Sequence, residues 1–266
     1  MTPLLAAAGH APLLAPEALL AGRSALVVVA PHPDDETLGA ALPLRAAHRL
    51  GLPATIICLT DGAASHPRSR VWPPARMAAR RADELARAVA CLAPGARIVR
   101  LGRPDGALRS DGAAAGRTAR RIAAEVPTGA LVLAAWGGDP HADHRAGARL
   151  VRAALARRRD AALWFYPIWG RFSGAPAPAR LVRLAAEAED AAAKRAALAA
   201  HATQMSPLVP DDPDGFVMAE AHQRHFLTHP EILIAEASDR PPHGAPVCAP
   251  PRSVAPPEQR LRTRQA

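Results

Sequence analysis

Aromatic residues, lysine and long apolar runs are all scarce in this chain of 266 residues. Aromatic residues make up 3% of it, so the chain has few of the stacking platforms on which single-stranded nucleic acids bind. The longest strongly apolar runs, 25–30 and 130–136, are far shorter than the roughly 20 residues of a membrane-spanning helix. These shortages argue against a membrane-spanning protein and against a nucleic-acid-binding protein of the stacking type.

Cysteine is also rare, and its placement indicates no metal or redox motif. Cys58, Cys91 and Cys248 are odd in number and widely spaced, which favours inert thiols in a reducing compartment. The first residues lack the basic segment of a secretory signal and contain interrupting prolines. We therefore expect a cytoplasmic protein with no transmembrane segment.

The positive charge leaves a nucleic-acid-binding protein open as an alternative of a different class. The formal net charge is +9 and the isoelectric point is about 11.0, with Lys194 as the only lysine among 33 basic residues. From residue 239 onward, five arginines face two acidic residues, so this segment contributes +3 of the net charge. No nucleic-acid-binding motif appears, and we expect no nucleic acid partner.

Short β-like runs alternate with longer helical runs, which predicts βαβ units and a mostly parallel sheet. We expect a three-layer α/β/α, Rossmann-like fold, with an N-terminal extension (1–22), one domain (23–238) and a disordered Pro- and Arg-rich tail (239–266). The predicted strands are 24–30, 54–60, 96–101, 130–136, 161–166, 181–187 and 230–236, and the predicted helices are 36–50, 75–92, 112–126, 143–159 and 188–203.

Two dense polar segments directly follow two of the predicted strands. Residues 31–36 read PHPDDE and residues 139–144 read DPHADH. Because ligands bind beyond the carboxyl ends of parallel strands, we expect these histidines and carboxylates to meet at one edge of the sheet. Two histidines with one carboxylate form an open metal site that suits Zn²⁺ or Fe²⁺. Helix capping by the aspartates is the simpler alternative, but it does not require three histidines.

HPDDE followed by HADH resembles the motifs of the PIG-L/LmbE-like zinc-dependent de-N-acetylases. Residues 59–62 (LTDG), 101–106 (LGRPDG) and the Arg81-x-x-Glu84 pair are similar to further segments of that family, in the same order. Lys194 followed by His201-x-Thr203-Gln204 continues the resemblance, which spans about residues 24–236. Ala142 stands where proline is usual and Thr203 where serine is usual.

The resemblance implies an LmbE-like fold and a role for each motif residue. His32, Asp35 and His144 are expected to bind Zn²⁺, with Fe²⁺ as the alternative. Asp34 is expected to be the general base and His141 to stabilise the oxyanion, while Asp143 orients a histidine. Arg81 and Asp105 are expected to bind substrate, although an Arg81–Glu84 ion pair and a turn-forming Asp105 remain alternatives.

The implied reaction is removal of the N-acetyl group from an N-acetylamino sugar of the GlcNAc type by a metal-activated water. The substrate is expected to be a small or lipid-linked sugar, and hydrolysis of a different amide is the alternative within enzymology. The sugar, its aglycone and the oligomeric state are left open. His222, His225 and His229 share a helical face but lie outside these motifs, so we expect surface or lid residues rather than a second metal site.

Overall fold

The computed structural model describes residues 1–236, which contribute all their strands to one eight-stranded sheet. The predicted tail lies outside these residues. The strand order is β1-β7-β8-β6-β5-β2-β3-β4. The strands are β1 (Leu13–Leu14), β2 (Leu26–Ala30), β3 (Ala54–Thr60), β4 (Arg97–Arg103), β5 (Leu131–Ala135), β6 (Ala162–Tyr166), β7 (Leu181–Leu184) and β8 (Glu231–Ala235).

Helices pack on both faces of the sheet, which confirms the predicted three-layer arrangement. One apolar core lies between the sheet and α2, α3, α4 and α7, and a second lies between the sheet and α1, α5 and α6. No helix in the described part of the chain is long and apolar enough to cross a membrane. The helices are α1 (Pro3–Gly9), α2 (Pro16–Leu20), α3 (Asp35–Arg49), α4 (Pro74–Leu92), α5 (Gly112–Ala124), α6 (Ala142–Leu155), α7 (Ala188–Ala200), α8 (Ala202–Met205) and α9 (Glu220–Thr228).

The sheet order places both polar segments at one point of the sheet. Strands β6, β5, β2, β3 and β4 are parallel, and the direction of winding reverses between β2 and β5. The segments at 31–34 and 136–141 follow these two adjacent strands. They therefore meet at the topological switch point, where doubly wound sheets bind ligands.

Several elements differ from the sequence-based expectation. The first 22 residues, expected as an extension, contain α1, β1 and α2, and β1 pairs in parallel with β7. The predicted helix 188–203 is divided at His201 into α7 and α8. Strand β8 is antiparallel to both β6 and β7. A two-residue strand and a one-residue division between two helices leave no recognisable sequence period, which explains why β1 and the division at His201 were not predicted.

Helix α3, which carries the HPDDE motif into the fold, is broken near its middle. Ala40 has non-helical dihedral angles (φ −140°, ψ 20°), three residues before Pro43. Proline cannot donate the helical hydrogen bond to the carbonyl of Gly39, and its ring crowds that carbonyl. Gly39 also packs directly on the ring of Tyr166, where a Cβ would lie 2.2 Å from Cδ2. The break therefore follows from one proline and one close ring contact.

A buried ion pair fills the gap that the break opens. Lys194 Nζ donates to the Leu38 carbonyl (3.1 Å) and to Glu231 Oε1 (2.6 Å). The carboxylate of Glu231 accepts the N–H of Leu42 (3.2 Å). In an unbroken helix Leu42 would donate to Leu38, so the two charged side chains satisfy the two groups that the break separates.

Candidate active site

Three histidines meet where the loops after β2 and β5 touch. The ring centroids of His32 and His141 lie 4.7 Å apart, those of His141 and His144 lie 4.9 Å apart, and those of His32 and His144 lie 5.4 Å apart. His32 and His144 are buried, while His141 is partly exposed. The structure therefore brings together the histidines that the sequence placed on two distant segments.

Asp35 joins two of these histidines as the predicted ligand set requires. Its Oδ2 lies 3.3 Å from His32 Nδ1 and 3.3 Å from His144 Nε2, and it accepts the backbone N–H of His32 at 2.9 Å. Asp35 is the first residue of α3, and His144 lies in the first turn of α6. Two helix starts thus direct one carboxylate and two imidazoles toward a common point.

His32 and His144 each have a further carboxylate beside the ring nitrogen that points away from Asp35. Nε2 of His32 lies 3.2 Å from Asp143 Oδ2 and 3.2 Å from Asp105 Oδ1. Nδ1 of His144 lies 3.5 Å from Asp139 Oδ1. When Nε2 of His32 donates to Asp143, its Nδ1 keeps a free lone pair beside Asp35. This is the arrangement that fixes the tautomer and raises the basicity of metal-binding histidines.

The negative charges of the carboxylates around the two histidines favour positive charge at the site. Burial opposes protonation of His32, but hydrogen bonds to Asp105, Asp143 and Asp35 outweigh it and raise its pKa well above the usual value. His144 is likewise opposed by burial, yet the charge of Asp35 raises its pKa to about 9. Burial also works against ionisation of Asp35, but His144 and His32 hold its pKa well below the usual range. A divalent cation would supply the same positive charge.

The donor set therefore fits a divalent metal. His144 is fully buried, and neither of its ring nitrogens has a hydrogen-bonding partner of good geometry. Ligand atoms of His32, His141 and His144 lie within 4.8 Å of one another, and the same holds for His32, Asp105 and Asp143. Two imidazoles and one carboxylate leave further coordination positions open, as in catalytic rather than structural sites.

Asp34 adjoins this group but is held in a different environment. It is the one non-glycine residue with positive φ in the described chain (φ 146°), a conformation that persists only where the surroundings enforce it. Arg81 enforces it by donating to the Pro33 carbonyl (2.8 Å) and to Asp34 Oδ2 (3.2 Å). Glu36 accepts the N–H of Asp34 at 3.0 Å. Burial raises the pKa of Asp34 to about 6, against the opposing charge of Arg81.

His141 is placed to act as a neutral hydrogen-bond donor. Its Nδ1 accepts the backbone N–H of Asp143 at 3.2 Å, so that nitrogen carries no proton in this arrangement. Burial lowers the pKa of His141, and the charges of His32 and His144 lower it further. The neutral ring therefore carries its proton on Nε2.

Asp139 is a site residue to which sequence reasoning assigned no role. Its Oδ1 accepts the N–H of His141 (3.1 Å), and its Oδ2 accepts the N–H groups of Ile168 (3.2 Å) and Gly170 (3.0 Å). It thus connects His144 to the loop after β6. Its position at the start of the DPHADH segment was the only signal in the sequence. Asp143 similarly accepts N–H groups from the loop after β4, those of Gly106 and Leu108.

The two predicted substrate-binding residues lie at the site, where the terminal nitrogens of Arg81 and both carboxylate oxygens of Asp105 already have partners within the protein. Arg81 is 3% exposed and also donates to the carbonyl of Gly62 at 3.0 Å. Asp105 contacts His32 through Oδ1 and accepts the N–H of Ala64 through Oδ2 at 3.0 Å. Glu84, the alternative partner of Arg81, instead accepts hydrogen bonds from Arg80 and Thr203.

A cavity of about 690 Å³ opens onto the site. His32, Asp34, Asp35, Arg81, Asp105 and His141 line its inner end. The remaining lining comes mainly from the loops after β3 and β6 and from the segment between α8 and α9, including Ser65, Trp169, Phe172, Gln204, Phe216 and Met218.

The other histidine cluster lies behind one wall of this cavity. His222 and His225 contact the ring of Phe172, with centroid distances of 4.2 and 5.0 Å, and His225 stacks on His229 at 4.0 Å. The metal-compatible groups found among residues 1–236 do not include these three histidines.

Comparisons with known proteins agree with the arrangement of the site. Residues 27–155 match the family model described as PIG-L: GlcNAc-PI de-N-acetylase. No curated protein matches the chain significantly. Among solved structures, the conserved protein TT1542 from Thermus thermophilus is 27% identical, with 86% of this chain and 99% of that chain covered and a TM-score of 0.56.

Two solved deacetylases share the fold at lower identity. The A40926 pseudoaglycone deacetylase Dbv21 is 22% identical, with 80% of this chain and 97% of that chain covered and a TM-score of 0.60. The N,N'-diacetylchitobiose deacetylase from Pyrococcus horikoshii is 18% identical, with 69% and 71% covered and a TM-score of 0.53. The matched segment 27–155 holds both histidine motifs at the switch point of the sheet, and in this segment the chain resembles the PIG-L family.

Proposed function

We propose that the protein is a metal-dependent hydrolase that removes the N-acetyl group from an N-acetylated amino sugar and releases acetate. The observation that carries the proposal is one geometry: Asp35 lies between His32 and His144, while the adjacent Asp34 faces the same cavity without joining them. The match of residues 27–155 to the PIG-L family model supports the reaction type. Metal-assisted amide hydrolysis uses a metal-activated water together with a separate group that transfers the proton, and these two aspartates can divide those tasks.

His32, Asp35 and His144 are the proposed metal ligands. A bound Zn²⁺, with Fe²⁺ as the alternative, would lower the pKa of a water in the site to about 7 and polarise the amide carbonyl. Asp143 and Asp105 keep Nδ1 of His32 available by accepting from Nε2. Asp139 places its negative charge 3.5 Å from Nδ1 of His144, which favours the proton on that nitrogen and leaves Nε2 available. These carboxylates are positioning residues, because they act through the histidines.

Asp34 is the proposed general base. Its pKa of about 6 lies near neutral pH, where a base is ionised yet still returns its proton readily to the leaving amine nitrogen. Arg81 holds both the strained backbone and the carboxylate, which assigns it a positioning role in place of the predicted substrate contact. The proton taken from the attacking water therefore has a fixed acceptor on one side of the cavity.

His141 is the proposed donor to the oxyanion of the tetrahedral intermediate. A neutral imidazole with its proton on Nε2 donates one hydrogen bond to a developing negative charge without needing to be ionised. Donors of this kind contribute about 10²- to 10³-fold to turnover in hydrolases.

The decisive experiment separates metal binding from proton transfer. Metal-loaded protein is incubated with N-acetylglucosamine derivatives, free amine is measured, and bound metal is counted on the same samples. Asp34→Ala should keep its metal and lose about 10²- to 10⁴-fold in turnover, the usual contribution of a general base. His144→Ala should lose the metal. Asp83→Ala, an exposed carboxylate on α4, is the matched control and should change neither quantity. Full activity in Asp34→Ala would refute the assignment of the base.

A further inference from the structure

The cavity concentrates aromatic side chains in a chain that has few of them. Only nine residues are Trp, Phe or Tyr, and three of these, Trp169, Phe172 and Phe216, line the cavity. Phe216 is 36% exposed, and it is the one aromatic among the large apolar residues exposed in the described chain. Because burying an aromatic ring is favourable, a ligand in the cavity that covers Phe216 gains binding free energy.

These rings form a wall with defined geometry. Trp169 and Phe216 meet edge to face, with centroids 5.8 Å apart and planes at 90°. The backbone holds both in place, because Phe216 donates its N–H to the Ser65 carbonyl (2.7 Å) and Gly170 donates to Asp139 (3.0 Å). Asp139 also lies next to His144. The position of the aromatic rings is therefore fixed relative to the proposed metal site.

The outer part of the cavity carries no charge of its own. Every ionisable side chain of the lining belongs to the inner end described above. Among residues 1–236, the only arginine or lysine in the lining is Arg81. Its two terminal nitrogens donate to Gly62, Pro33 and Asp34, and its Nε is buried, out of reach of a ligand in the cavity. Phosphate recognition depends on arginine, lysine or free backbone donors, and the lining formed by residues 1–236 offers no cation that is both accessible and unpaired.

We propose that the cavity accepts an N-acetylated amino sugar whose aglycone is uncharged and aromatic, and that this aglycone packs against Trp169 and Phe216. The inference rests on the proposed function and adds the class of substrate. A cavity of about 690 Å³ falls in the range of ~300–1,000 Å³ that encloses drug-sized ligands, which is room for a sugar and a ring system. Sugars linked through phosphate are disfavoured because no free cation meets them.

The test compares three substrates that share one sugar. The 2-naphthyl and methyl glycosides of N-acetylglucosamine and N-acetylglucosamine 1-phosphate are each supplied to the metal-loaded, full-length protein, and free amine is measured. We expect kcat/KM for the naphthyl glycoside to be about tenfold higher than for the methyl glycoside, as expected for burial and edge-to-face contact of one ring. The 1-phosphate should be hydrolysed more slowly than the methyl glycoside.

Substitutions at two neighbouring positions measure the contribution of the aromatic wall to substrate preference. Phe216→Ala should lower the ratio of naphthyl to methyl kcat/KM at least threefold. Val217→Ala is the matched control, because Val217 is 38% exposed, adjoins Phe216 and does not line the cavity. Its ratio should equal that of the unmodified protein. Phe216 is exposed at the surface, so its truncation opens no cavity in the core.

The outcomes distinguish this inference from the proposed function. Equal kcat/KM for the naphthyl and methyl glycosides, an unchanged ratio in Phe216→Ala, or a preference for the 1-phosphate would each overturn the aromatic aglycone while leaving the deacetylase intact. Absence of free amine from all three substrates would overturn the deacetylase, and the aglycone inference with it.

Discussion

Glu231→Gln removes the counter-charge of the only lysine in the chain. Lys194 is 5% exposed, and its ammonium contacts the Glu231 carboxylate at 2.6 Å and the Leu38 carbonyl at 3.1 Å. Glutamine keeps nearly the same shape, and its carbonyl oxygen still accepts the N–H of Leu42. The substitution therefore leaves the break in α3 occupied but strands one positive charge in the protein interior.

The expected loss of stability can be calculated in two ways that agree. Removing one partner of a buried ion pair costs about 3–5 kcal/mol. Alternatively, Lys194 sheds its proton on folding, which at pH 7 costs at most about 4.6 kcal/mol, since lysine has a reference pKa near 10.4 and each pKa unit is worth about 1.36 kcal/mol. Proton loss thus sets a ceiling on the penalty, and that ceiling falls as pH rises.

The pH dependence has a definite sign. Burial already lowers the pKa of Lys194, and Glu231 opposes that shift. Without Glu231 the folded-state pKa falls further below the unfolded value, so at neutral pH the unfolded chain binds more protons and stability increases with pH. Between pH 7 and pH 9 the variant should regain up to about 2.7 kcal/mol relative to the unmodified protein.

The assay is urea unfolding of both proteins at pH 7 and pH 9. No other lysine exists to titrate, and groups that both proteins share, such as His144 with its pKa raised to about 9, cancel when the two proteins are compared. Lys194→Met with Glu231→Gln is the matched control: it removes the titrating group and should show no recovery at pH 9. If Glu231→Gln were equally destabilised at both pH values, the ammonium would not be forced to lose its proton, and the argument would be refuted.

Two further predictions concern the supports of the site. Asp139→Asn should weaken metal binding by about 10- to 100-fold, because the carboxylate behind His144 is lost; a chelator competition titration measures this, and an unchanged affinity would contradict the role of Asp139. Gly39→Ala should destabilise the fold by about 1–3 kcal/mol, because the new Cβ meets Tyr166 at 2.2 Å. Tyr166→Leu in the same chain should recover part of that loss, and no recovery would exclude the ring as its cause.

The central part of the fold was predictable because its elements are long and regularly patterned. Strands β2, β3, β5 and β6 are mainly continuous apolar runs, and helices α4 and α6 carry clear amphipathic periods. Strand β1 and helix α8 are too short for such a period. The break in α3 depends on Tyr166, which is distant in sequence, so Pro43 alone did not indicate where the helix would yield.

The inner half of the candidate site was predictable for a different reason. His32, Asp34, Asp35, His141 and His144 lie in two compact motifs directly after strands, and the sheet order alone brings those strands side by side. The outer half comes from loops whose sequences carry no motif, and it becomes a wall only when the segment before α9 meets the loops after β3 and β6.

Asp34, Asp35, Asp105, Asp139 and Asp143 explain why net charge was a poor guide to this protein. The chain carries +9 overall, yet the last four of these carboxylates lie beside two buried histidines, and against the opposing effect of burial they raise the pKa values of both. Only Arg81 opposes that field from within the cavity lining, and it does so at Asp34. Because Arg81 is placed there, Asp34 stays ionisable near neutral pH while Asp35 is held as an anion for the metal. Two adjacent aspartates thus acquire different roles through their neighbours rather than through their sequence.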